Sequence, residues 1–152
     1  MLDYIVISIF AGIIWSQIIS HCGASILLHR YYCHKQFNVP VWFEHVGLFM
    51  LSVAYIRTPI GWIASHRMHH HHSDTENDPH SAKHVGFWKV LLTTWDIPSI
   101  PPKYAKDLFA NPRLVFYHKH HVKILLAHNV ISFLISPYFW IAYALVPFIF
   151  AK

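Results

Sequence analysis

From Tyr4 to Leu28 the chain runs twenty-five residues without an Asp, Glu, Lys or Arg. At about 1.5 Å per residue a helix of that length reaches roughly 37 Å, enough to cross a bilayer with tilt. Asp3 stands where the basic start of a cleaved signal peptide belongs, and the run is longer than the apolar part of such a peptide. The pattern therefore predicts a retained transmembrane helix over 4–28. Arg30 and Lys35 follow directly, which predicts that this end faces the cytoplasm.

Pro40 opens a second apolar stretch, Val41 to Ile56, in which Glu44, His45 and Arg57 leave too short an uncharged centre for a span. It reads as a buried or interfacial helix. Ser73 to Ser81 is a polar, turn-rich loop, and Val85 to Trp95 reads as a short amphipathic helix with Phe87, Val90, Leu91 and Trp95 on one face. Pro98, Pro101 and Pro102 mark a linker, and Asn111-Pro112 interrupts the helical segment beyond it. Ile124 to Phe150 is a second uncharged run, broken by Pro137 and Pro147. Each half is too short to cross alone, so it reads as one kinked span rather than a re-entrant hairpin. With no repeat and no strand-like alternation, the expectation is one all-α domain over 1–152. Transmembrane helices 4–28 and 124–150 flank a cytosolic-face region, 29–121.

Composition strengthens the membrane reading. Charged residues make up 12% of the chain, against roughly 25% in soluble domains. The net charge of +5 suits anionic headgroups or a cytoplasmic face. Nucleic acid is a poor fit, because the basic residues are scattered and no recognition motif accompanies them. Cys22 and Cys33 make no disulfide framework, as expected on a reducing, cytosolic side.

The chemistry is concentrated in histidine. His29 and His34 close the first apolar run, and His66, His69 and His70 follow the second. His66 shares a helix face with both of its partners, while His69 and His70 are about 100° apart. On an ideal α-helix His29 and His34 sit about 140° apart, so they meet only if the helix ends or loosens between them. Imidazoles without thiolates suit iron, copper, zinc or nickel, and five exceed what one tetrahedral ion takes, which points to two metals. There is no phosphate loop, nucleophile elbow or dinucleotide fingerprint, so redox or oxygen chemistry at a metal is what remains. His21, His45 and His128 read as ordinary surface or core residues, and His71 and His72 as solvated neighbours. Arg30 and Arg67 either steady a carboxylate or headgroup or snorkel at the interface. Asp74, Glu76 and Asp78 are either hydrogen-bond partners of the ligand histidines or parts of a solvated turn.

His29-Arg30-Tyr31-Tyr32-Cys33-His34 resembles the His-X4-His box of the membrane-bound fatty acid desaturases, nearest the delta-9 acyl-CoA or acyl-lipid type. His66-Arg67-Met68-His69-His70 resembles their His-X2-His-His box. The likeness continues through Ser73-Asp74-Thr75-Glu76-Asn77-Asp78-Pro79-His80 and His84-Val85-Gly86-Phe87-Trp88. The resemblance implies a di-iron centre that activates oxygen and removes two hydrogens from the acyl chain of an acyl-CoA or acyl-lipid. Its electrons would come from cytochrome b5 or ferredoxin, and His29, His34, His66, His69 and His70 would be iron ligands. The family's third box and the Asn-X3-His element before it do not occur in these 152 residues. His118-Lys119-His120-His121 has the wrong spacing, and no histidine pair follows His128-Asn129. The chain is thus expected to correspond to the N-terminal half of a desaturase, needing a C-terminal half for activity. Two alternatives stay open: a lipid hydroxylase or ketolase with the same histidine boxes, and an inactive fragment or subunit that pairs with a separate C-terminal half.

Overall fold

The computed structural model describes residues 1–54, 56–92 and 99–151, and all regular structure among them is helical. Helix α1, Leu2–Cys33, has 32 residues and is, among the described residues, the one single helix long and apolar enough to cross a membrane. It extends a few residues beyond the expected 4–28 at both ends. Its winding changes along its length: Leu2–Ile18 is α-helical and Ile19–Cys33 is π-helical, with bonds from residue i to i+5.

Helix α2, Val41–Ala54, packs against α1, and α3, Pro59–His72, packs against the π-wound end of α1. Thr58 starts α3 by accepting the Gly61 N–H at 3.3 Å, with Pro59 at the first helical position. The expected amphipathic helix over 85–95 divides at Gly86, where φ is 95°, into α4 (Ala82–Val85) and α5 (Phe87–Leu92). Trp95 and the Leu91 side chain lie outside the described residues, so the proposed common face is not described.

After two 3-10 turns, Pro102–Tyr104 and Lys106–Ala110, helix α6 spans Pro112–Ile135. Asn111 caps it, accepting the Arg113 and Leu114 N–H groups at 3.0 and 3.3 Å. Helix α7, Pro137–Phe150, follows. The run over 124–150 is therefore not one kinked helix but the two arms of a hairpin. Ser136 is extended (φ −171°, ψ 143°) and caps α7 at Tyr138 and Phe139, with Pro137 at its first position. The chain then doubles back: Trp140 Nε1 donates to Asn129 Oδ1 at 2.9 Å, and His128 Nε2 meets the Tyr143 carbonyl at 2.9 Å. A serine cap followed by proline is a start signal, and here it restarts a helix rather than kinking one.

On the first part of α1 the usual pattern is inverted. The buried positions are Ser8, Gly12 and Ser16, spaced four apart, whereas Ile7, Phe10 and Ile14 point outward. Small residues inside and large apolar residues outside is the arrangement of helices that pack in lipid. Gly12 makes it possible: a Cβ there would lie 2.6 Å from Val146 Cβ of α7 and 3.0 Å from the Ala142 carbonyl. Nearer the histidines the core turns aliphatic, with Leu27, Leu28, Leu48, Leu51, Ile63 and Leu114 buried together.

Candidate metal centre

His29 stands within the π-wound part of α1 and His34 caps its end, with the His34 N–H bonded to the His29 carbonyl at 3.1 Å. A winding that bonds i to i+5 places residue i+5 almost above residue i, so the two rings meet, with centroids 4.6 Å apart. The pair separated on an α-helix thus converges because the helix is loosened, one of the two conditions that the spacing requires. His66 and His70 need no such device. They are i, i+4 on α3, their centroids are 4.6 Å apart and their Nε2 atoms 3.0 Å apart.

Packing α3 against the end of α1 closes the two pairs into a near-square. His29 faces His66 at 4.7 Å and His34 faces His70 at 4.8 Å, with diagonals of 6.2 and 6.0 Å. One ring nitrogen from each of the four lies within 4.8 Å of all the others. Four imidazole nitrogens this close together are a donor set that fits a single transition-metal ion, and His29, His34, His66 and His70 would hold it once the rings draw together to bonds of about 2.0–2.1 Å. Burial, and then the neighbouring His29, His70, His69 and His34, push the His66 pKa down to about 3. His66 is therefore neutral, the form that binds metal, throughout the physiological range.

His69 is not part of the square. Its ring is 6.0 Å from that of His66 and 5.6 Å from that of His70, and its nitrogens do not join the four that cluster within 4.8 Å. Its Nδ1 donates to Asp78 Oδ1 at 2.8 Å. A carboxylate only accepts, so Nδ1 carries a proton, and in the neutral ring that leaves Nε2 as the nitrogen that can take another partner. Asp78 also takes the Asp74 N–H at 2.9 Å and the His80 N–H at 2.8 Å, and is 1% exposed. Burial alone would raise its pKa; the bonds from His69 and the two backbone groups outweigh that and hold it below the usual carboxylate range.

The chain is similar in sequence to several curated desaturases. Over 110 residues, 69% of the chain, it is 34% identical to the sn-1 stearoyl-lipid 9-desaturase of Anabaena variabilis, covering 40% of that protein. Over 75 residues, 49% of the chain, it is 40% identical to the Delta-9 acyl-lipid desaturase 2 of Arabidopsis thaliana, covering 24% of it. An Acyl-CoA Delta(11) desaturase of Trichoplusia ni matches at 34% identity over 117 residues, 70% of the chain and 32% of that protein. The chain is a relative of the fatty acid desaturases. It spans well under half the length of these curated relatives. No known family's sequence profile and no solved structure matches it.

In this desaturase relative the remaining expectations divide. Of Asp74, Glu76 and Asp78, only Asp78 is buried against a site histidine; the other two are exposed, as in a solvated turn. Arg67 does not snorkel. Its guanidinium holds both Asp107 oxygens at 2.6 and 3.0 Å, the Tyr104 carbonyl at 3.1 Å and the Tyr32 carbonyl at 3.3 Å. His21, His45 and His128 each meet a partner away from the square: the Gln17 carbonyl, the Tyr117 hydroxyl and the Tyr143 carbonyl. His72 Nε2 meets the Tyr104 hydroxyl at 3.2 Å. Reading the sequence missed Glu44, which appeared only as a charge interrupting an apolar stretch. It is in fact buried and bonded to Arg113, Tyr31 and Tyr32. A lone carboxylate in an apolar helix was the available signal.

Proposed function

We propose that the chain forms part of an oxygen-dependent desaturase that introduces a double bond into the acyl chain of a lipid or a CoA thioester. The observation that carries this reading is the square of four imidazoles in a relative of desaturases. His29, His34, His66 and His70 would hold one iron; His69, turned aside with its Nε2 free, would serve a second, together with groups beyond these residues. Bound iron would supply oxygen activation.

The chain's own residues supply placement. A cavity of about 360 Å³ lies against the square, lined by His29 and His66, by Ala24, Ile56 and Trp62, and by polar groups that include Ser20, Ser25, Arg57 and Ser65. An acyl segment lying against Trp62 would present its carbons to the histidines. Asp78 keeps His69 in the tautomer that binds through Nε2. The first apolar helix would span the membrane, with the histidine boxes on its cytoplasmic side and electrons arriving from cytochrome b5 or ferredoxin. A C-terminal half bearing the third histidine box would complete the coordination.

The test is to express the chain with the C-terminal part of a delta-9 acyl-lipid desaturase in cells lacking their own desaturase, and to analyse their fatty acids. A new double bond that depends on His66 supports the proposal. A hydroxyl in its place assigns the chain to the hydroxylases. No product from an iron-loaded pair would reduce the chain to a metal-binding subunit.

A further inference from the structure

Glu44 is 2% exposed and lies on an apolar helix, yet every direction around its carboxylate is used. Oε1 accepts from the Tyr31 hydroxyl at 3.2 Å and from Arg113 Nη2 at 3.1 Å; Oε2 accepts from Arg113 Nε at 2.9 Å and from the Tyr32 hydroxyl. A carboxylate is tolerated out of water only when paired and hydrogen-bonded, and an apolar side chain would fill the space more simply. What this one holds is therefore informative. Tyr31 and Tyr32 lie inside the first histidine box, between His29 and His34.

That segment needs holding. π-winding is rare, and the ordinary α-helical alternative would carry His34 roughly 140° away from His29. Tyr32 is fastened twice, by its hydroxyl to Glu44 and by its carbonyl to Arg67 of α3, at 3.3 Å. Two helices thus meet on these consecutive residues directly, α2 through Glu44 and α3 through Arg67, and α6 backs Glu44 through Arg113.

We propose that Glu44, backed by Arg113, is a positioning residue that fixes Tyr31 and Tyr32 and thereby the turn that brings His34 over His29. This inference rests on the metal reading of the histidine square. The role is played at a distance, since Glu44 itself touches none of the four imidazoles.

The test is Co2+ binding to the whole chain in detergent, followed by its ligand-field absorption. Tyr32→Phe keeps the ring and removes one hydroxyl; it should weaken Co2+ binding about tenfold, the size of effect typical of groups that orient ligands. Tyr31→Phe, whose bond to Glu44 is the weaker one, should shift affinity less and in the same direction, and serves if Tyr32→Phe does not fold. The same Tyr32→Phe change in a His29→Ala/His34→Ala chain should have no further effect, because the pair it positions is gone. Equal Co2+ affinity in Tyr32→Phe and the unaltered chain overturns the proposal. So does an equal loss in the chain lacking His29 and His34, which would mean general loosening. Failure of the unaltered chain to bind Co2+ at all overturns the metal reading, and this inference with it.

Discussion

The two histidine boxes reach the same square by different routes. His66 and His70 lie on an ordinary α-helix at a spacing that faces them together, and α3 needs only its Thr58 cap and its packing to present them. His29 and His34 are one residue too far apart for that. They meet only because α1 is π-wound where they stand, in a segment fastened from outside by Glu44 and Arg67. The difference teaches that an i, i+5 pair is a property of tertiary structure, whereas an i, i+4 pair is already a property of the helix.

Breaking the square itself should have the largest effect. His66→Ala removes a corner that touches both boxes, and should lower metal affinity by more than about 100-fold, beyond the range seen for groups that merely orient ligands; equilibrium dialysis against Fe2+ or Co2+ measures it. Gly12→Leu attacks the opposite region, where α1 meets α7 at a Cβ distance of 2.6 Å. Overpacking there should cost about 1–3 kcal/mol of stability. Thermal melting in detergent should show that loss while metal affinity stays unchanged, separating the α1–α7 packing from the square.

Asp78→Asn sharpens the comparison within the second box. It removes the charge that holds His69 and should weaken a second metal equivalent about tenfold while leaving the first intact, as a two-site titration would show. Acid acts on the first box through its support. Glu44 lies below the usual carboxylate range, because the Arg113 and tyrosine bonds outweigh the effect of burial. Its folded pKa is depressed, so its contribution is fully present above its unfolded value of about 4.3 and is lost as pH falls through the lower folded value. The melting temperature should therefore hold level down to about pH 5 and drop below about pH 4. Glu44→Gln should melt lower at neutral pH and show a shallower drop. Asp78 and Asp107, both also depressed, keep part of that acid sensitivity in place. The smallest effect is expected for Asp107→Asn. Its carboxylate is half exposed, and such pairs contribute under about 1 kcal/mol, readable as a slight shift in denaturant midpoint.

Much of this was legible in the residues. The uncharged run at 4–28 located α1, and histidine spacing located α3's shared face. Local pattern could not reveal the π-winding, since nothing in Ile19–Cys33 distinguishes one helical winding from another; neighbours on three helices stabilise it. The hairpin at Ser136 was readable in principle: Ser136-Pro137 is a cap and a first turn, but two prolines in one apolar run read equally well as kinks. The exclusion of His69 from the square follows from its place about 100° round α3 from His70, once Asp78 claims its Nδ1. Asp74, Glu76 and Asp78 are alike as a sequence, and only the fold of the turn buries one of them.

The central claim is that the two boxes form one site. Metal content of the purified chain, compared with His29→Ala and His70→Ala, tests it most directly. The account predicts that about one tightly held ion per chain is lost equally in both variants, since each removes one side's share of the same four ligands. Full retention of that ion in His29→Ala, with loss only in His70→Ala, would contradict it.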